Sequence, residues 1–95
     1  MITITVRYHN LLRRMTGVKD EAITLPAGTS LHHALGHLAQ CHGPALQEML
    51  FRPDDGGISL HLVVFRNRQL VHPDQHDNPL FDDDELMLFP AIAGG

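Results

Sequence analysis

Cysteine and lysine each occur once in this chain, as Cys41 and Lys19. With one cysteine no internal disulfide can form, and no cluster of thiols can hold zinc. A reducing compartment is the setting that fits. Positive charge is also scarce. Seven Lys and Arg stand against eleven Asp and Glu, for a net charge of −4, and the basic residues form no run. That argues against nucleic-acid binding, which needs clustered cations. No apolar stretch approaches the roughly 20 residues of a membrane span. Residues 1–8 alternate in polarity and lack the charged start and apolar run of a secretion signal. A soluble, cytoplasmic protein without membrane contact is therefore expected. Repeats, low-complexity tracts and splitting linkers are missing too, so residues 1–95 are expected to form one small domain with one modest core.

What is present is a sequence of clear periodicities. Ile2, Ile4, Val6 and Tyr8 alternate with Thr3, Thr5 and Arg7, and this β-branched period of two predicts a strand. Residues 10–15 suit a short helical turn ended by Gly17, and 21–25 a second strand closed by Pro26-Ala27-Gly28. The period then changes. Thr29 or Ser30 can cap a helix N-terminus, and Leu31, Ala34, Leu35, Leu38 and Ala39 follow on one apolar face. Gly43-Pro44 stops this helix, and Pro44 can open a second, 45–51. After a loop at 52–57, residues 58–66 predict a third strand, 69–71 a short strand, 72–84 a loop, and 85–89 the last strand.

This order predicts an α+β fold: a mixed sheet of four to five strands packed on one main helix. The third and last strands are apolar on both faces, which suits interior strands or strands with one exposed apolar face. One main helix covers one face only. Val63, Phe65, Met87 and Phe89 then either form an exposed patch that marks a partner surface or lie under loops and short helices.

Several polar groups invite functional readings. His33 and His37 sit four apart on the predicted helix, a spacing that can chelate a metal, but no third ligand is evident and a solvated helix face explains them. Asp82-Asp83-Asp84-Glu85 reads as a polar turn before a strand, and Asp54-Asp55-Gly56-Gly57 as a loop without calcium-binding spacing. No metal site is expected. Cys41 falls near a helix C-terminus, where the dipole gives no help in lowering a thiol pKa. The chain finishes in Ala93-Gly94-Gly95 after an apolar strand. Two residues without side chains can thread a narrow channel, and their backbone reaches angles closed to others. A frayed end is the alternative, since small residues collect at termini.

The start, from Ile2 through Tyr8 with Leu11-Leu12-Arg13-Arg14 and Gly17, the capped helix at 29–38, Val64-Phe65-Arg66-Asn67, and above all the stretch from Leu80 to Gly95 together resemble the ubiquitin-like β-grasp sulfur carriers. Within them the chain is most similar to the small subunits of molybdopterin synthase, the MoaD type. An acidic turn, an apolar strand, a proline, an apolar pair and Gly-Gly form the most specific part. Two departures stand out: Arg68 and Asp83 occupy positions where the family usually has glycine. Residues 42–59 are longer than in minimal members. That length and the Ala-Ile-Ala-Gly-Gly ending are also similar to carriers that serve cysteine biosynthesis.

The resemblance implies a function without an independent active site. The Gly95 carboxylate would be adenylated by a ubiquitin-activating-enzyme-like adenylyltransferase that uses ATP. It would then become a thiocarboxylate that donates sulfur, in molybdenum cofactor biosynthesis as the small subunit beside a larger catalytic subunit of molybdopterin synthase. Gly94 would let the tail, residues 90–95, pass a tight channel. Phe89, Tyr8 and Leu70 would contribute to partner binding, with core packing as the alternative for Phe89. No cofactor would be bound by the chain itself. Another sulfur pathway and a ubiquitin-like protein modifier are the other readings. A modifier that builds chains on itself needs acceptor lysines, so the single Lys19 disfavours polymer formation and leaves single conjugation through Gly95 open.

Overall fold

The computed structural model describes residues 1–91. Its elements are β1 (Ile2–Tyr8), α1 (Leu11–Thr16), β2 (Asp20–Leu25), α2 (Leu31–His42), α3 (Pro44–Leu50), β3 (Leu62–Arg66), β4 (Gln69–Leu70), a 3-10 turn (Pro73–Gln75) and β5 (Glu85–Pro90). The five strands form one sheet in the order β2-β1-β5-β3-β4. β1 and β5 run parallel, and every other neighbouring pair is antiparallel. The α+β class and the mixed sheet on a main helix are as the periodicities predict.

Alternation decides which side chains face the helices. Ile2, Ile4, Val6 and Tyr8 are buried along β1, as are Leu86, Leu88 and Pro90 along β5. They meet the apolar stripe of α2, where Leu31, Ala34, Leu35, Leu38 and Ala39 are buried, and Leu46 and Leu50 of α3. Ser30 caps α2 by accepting the His33 N–H at 3.1 Å. The segment before β5 completes that helix end: the carbonyls of Asn78 and His76 accept from Leu31 and His32. The loop expected at 72–84 thus occupies the free donors of the first turn of α2.

Besides one-residue shifts of α1, of α3 and of the start of β2, three boundaries differ from the sequence reading. β3 starts at Leu62 rather than at 58, because the Ser59 carbonyl and hydroxyl accept from Leu62 and His61 and turn the chain there. Ile58 still enters the core, through a bridge to Phe51, while Leu60 is 74% exposed. β4 ends at Leu70 rather than at 71, although the Val71 N–H still reaches the Val64 carbonyl. β5 continues through Pro90, so the tail begins after Pro90 and not at it. A proline is tolerated there because pairing with β1 stops at Leu88, and the next donor, Ala91 N–H, resumes the bonding to His61 on the β3 side.

Candidate functional site

The site begins with the second face of the sheet. Across β3 and β5, Val63 stands opposite Phe89 and Phe65 opposite Met87, while Phe65 also faces Leu70 of β4 and Met87 faces Arg7 of β1. Directly opposed residues share a side of the sheet, so these six side chains form one surface. Val63, Phe65, Met87 and Phe89 are half-buried, and Leu70 is 48% exposed. Of the two readings of the double-sided strands, a partly exposed apolar face is the one observed.

Aromatic contacts order this surface. Phe65 meets Phe89 edge to face at 5.7 Å between centroids, and His9 stacks flat on Phe89 at 4.1 Å. His9 is placed by the parallel pairing, since its N–H donates to the Leu88 carbonyl at 3.1 Å. Burial holds its imidazole pKa below the usual value, and the cations of Arg13, Arg7 and Lys19 push it the same way. Its Nε2 is buried with no partner among the described residues. At the other end of β5, the Glu85 carboxylate lies 3.2 Å from Arg7 Nε and 3.9 Å from Arg68 Nε. The face therefore has an aromatic centre near the strand end that leads to the tail and an ionic rim at the far end.

Tyr8 does not belong to this face. Its side chain is fully buried on the helix side, where its hydroxyl donates to Glu21 Oε2 at 2.7 Å. Glu21 Oε2 is also 2.6 Å from His42 Nε2. Burial, and then the Glu21 carboxylate, raise the phenol pKa far above its ordinary value. The expectation that Tyr8 joins a partner surface is thus corrected. The signal was available: Tyr8 shares its parity with Ile2, Ile4 and Val6. His9 and Arg7, by contrast, were missed. Arg7 has the outward parity, but only the β1–β5 pairing sets it beside Met87 and His9 against Phe89. Gly94 and Gly95 lie outside the described residues.

The acidic turn serves the fold. Asp82 accepts the Thr3 N–H at 2.7 Å. Asp84 is buried and accepts from Arg66, the Asn67 amide and the Phe81 N–H. Burial alone would raise its pKa, but the Phe81 N–H, Asn67 and Arg66 outweigh that and hold it below the usual carboxylate range. Arg66 also lies 5.3 Å over the Phe81 ring. A cleft of about 310 Å³ opens beside these residues, but its charged groups already satisfy one another. Among the described residues no three His, Cys, Asp or Glu side chains converge on a possible metal position. His37 instead lies 3.6 Å from Cys41 Sγ on an exposed stretch of α2. No described helix is long and apolar enough to cross a membrane.

The profile of the ThiS family matches residues 6–95. The chain belongs to the ThiS family. Comparison with curated proteins finds no match. Among solved structures, SAMP1 of Haloferax volcanii is 27% identical, with a TM-score of 0.83 and coverage of 98% of this chain and 99% of that one. A proposed molybdopterin converting factor subunit 1 from Pyrococcus furiosus shares the fold at 23% identity and a TM-score of 0.78, covering 97% of this chain and 100% of its own. The Amycolatopsis orientalis BexX/CysO complex gives 23% identity and a TM-score of 0.73, with 97% of this chain and 99% of that chain covered. The fold of this ThiS-family chain is thus the ubiquitin-like β-grasp.

Proposed function

We propose that this chain is a sulfur carrier whose Gly95 carboxylate is the working group, with Gly94 giving the tail a narrow profile. The observation that carries this reading is the half-exposed aromatic face of β3 and β5 on a ThiS-family fold, at the strand end that leads into a Gly-Gly tail. Phe89 and Leu70 dock the partner, with Phe65, Met87 and His9 around them. Beyond Pro90 the extended tail, residues 91–95, can reach about 17 Å, enough to enter a buried site of another protein.

The chemistry follows from the weakness of a carboxylate as an electrophile. An ATP-using adenylyltransferase joins AMP to the Gly95 carboxylate and releases pyrophosphate. Sulfide-level sulfur then displaces AMP and leaves a thiocarboxylate, whose sulfur attacks an electrophilic carbon of a substrate held by the partner and displaces its leaving group. Hydrolysis of the acyl–sulfur bond leaves sulfur on the substrate and restores the carboxylate. Holding the tail in the partner's site supplies the proximity term, worth several kcal/mol. The carrier contributes position and its end group, binds no cofactor of its own, and works in the cytoplasm.

We assign the sulfur to molybdopterin formation, with the chain as the small subunit beside a larger catalytic subunit. The likeness to SAMP1 favours a second reading, conjugation to a protein through the same activated Gly95. Incubation with the cognate activating enzyme, ATP and a sulfur source is expected to raise the mass by about 16 Da, the exchange of one oxygen for sulfur. Removing Gly95 is expected to abolish that shift while the fold remains intact. An unchanged mass with full-length chain and active enzyme would count against the carrier role. Binding to a synthase large subunit separates the molybdopterin assignment from other sulfur pathways, and a covalent protein adduct without a thiocarboxylate would favour the modifier.

A further inference from the structure

The seven basic side chains sort into two groups. Arg7, Arg52, Arg66 and Arg68 each stand within 4.0 Å of a carboxylate. Among the described residues no carboxylate comes that close to Arg13, Arg14 or Lys19. The three unpaired cations are also gathered in one place. Arg13 and Arg14 occupy the last turn of α1, and Lys19 lies just beyond Gly17, whose left-handed backbone ends that helix. Arg13 Nε donates to the Tyr8 carbonyl at 3.2 Å, and the Lys19 carbonyl accepts the Tyr8 N–H at 3.0 Å. Both residues therefore flank one backbone unit of β1. The next residue, His9, stacks on Phe89.

This place is the root of the tail. β1 and β5 run parallel, so both finish at the same end of the sheet. The acidic turn lies at the opposite end, where Asp82 and Asp83 bond to Thr3 at the start of β1. A chain of net charge −4 thus keeps its unpaired cations together beside the point where the tail leaves. Like charges set together gain nothing from one another, and exposed cations without a counter-charge gain little electrostatic stability from the fold. Their arrangement suits an external anion field, which speeds and orients encounter.

We propose that Arg13, Arg14 and Lys19 form a cationic collar that docks on a carboxylate-rich surface of the activating enzyme, bordering the channel that admits the tail. The inference rests on the carrier reading above. The apolar face supplies the buried contact, and the collar sets approach and orientation around the tail. Because the collar is exposed, its contribution falls as salt rises.

The test is carrier-dependent ATP–pyrophosphate exchange by the cognate activating enzyme, at low and high salt. The variant Arg13→Glu/Arg14→Glu/Lys19→Glu is expected to raise the KM for the carrier about tenfold or more at low salt, with kcat retained and the salt dependence lost. The Arg13→Gln/Arg14→Gln/Lys19→Gln variant, which avoids new repulsion within the domain, is expected to fall between. Arg52→Glu, a charge reversal outside the collar, is expected to leave KM unchanged. If the glutamine variant is folded and matches wild type in KM and salt dependence, the collar has no such role. If wild type itself supports no exchange with an active enzyme, the carrier reading fails and takes the collar with it. Salt-sensitive self-association lost in the same variants would assign the collar to a second copy and overturn the proposal.

Discussion

The turn between β3 and β4 places two consecutive residues at positive φ, Asn67 at 51° and Arg68 at 69°. Such a turn matches the twist of its strands but favours Asn, Asp and Gly. Asn67 fits twice over, since its side chain also donates to Asp84 and accepts the Glu85 N–H. Arg68 has no such excuse. Its side chain is 82% exposed, and its contact with Glu85 is 3.9 Å, so the left-handed backbone is nearly uncompensated. Arg68→Gly is therefore expected to stabilise the fold by about 0.5–1 kcal/mol, the relief from a strained φ less the entropy of glycine. A rise in the urea midpoint at constant slope checks it. This strain was legible in the sequence, where Arg68 replaces the family's glycine. At Asp83, the other departure, φ is 68°, which Asp adopts more easily.

At the level of elements, β5 does two jobs with alternate side chains. Leu86 and Leu88 are fully buried toward the helices, while Met87 and Phe89 are half-buried on the other face. The two sets separate stability from binding. Leu88→Ala is expected to cost about 2–5 kcal/mol of stability. Phe89→Ala removes the ring on which His9 and Phe65 rest. It is expected to weaken partner binding at least about tenfold, as for a central aromatic anchor, with the smaller loss of stability. Calorimetric titration with the activating enzyme checks the first effect and thermal melts the second. Equal affinity for wild type and Phe89→Ala would remove this face from the docking surface. The double-sided strand was visible as two interleaved apolar sets. Which set faces the helices followed from the strict alternation of β1, once the β1–β5 pairing was known.

For the whole molecule, Asp84 is the junction that ties the β3–β4 turn to the segment preceding β5, through Arg66, Asn67 and Phe81. Its folded pKa lies below the usual 3.8. A depressed carboxylate pKa gives stability that is complete above 3.8 and is lost as pH falls through the folded value. Asp84→Asn is expected to lower stability by about 2–4 kcal/mol near neutral pH, because it leaves Arg66 without its counter-charge. The gap to wild type is then expected to narrow below about pH 4. Tyr8 works in the opposite sense. Its raised pKa stabilises the neutral phenol, so stability is complete below its ordinary 10.0 and declines as pH rises beyond it. Denaturant midpoints across the acid range, for both proteins, check the Asp84 effect. A gap that persists unchanged in acid would show that its charge is not what matters.

The sequence by itself determined the strand and helix types, the class of the fold, and the apolar sets on β1, α2, β3 and β5. Period, capping and turn chemistry act between residues close in the chain, so they can be read along it. It also carried the Gly-Gly ending and the family pattern. Boundaries set by single hydrogen bonds, such as the turn at Ser59, escaped that reading. What only the tertiary structure decided was juxtaposition. The parallel pairing of β1 with β5 brings His9 to Phe89, Arg7 to Met87, and the unpaired cations of α1 to the root of the tail. It also commits Tyr8 to the core with Glu21 and His42. Contacts between residues dozens of positions apart depend on register and sheet order, and those are set when the whole core closes.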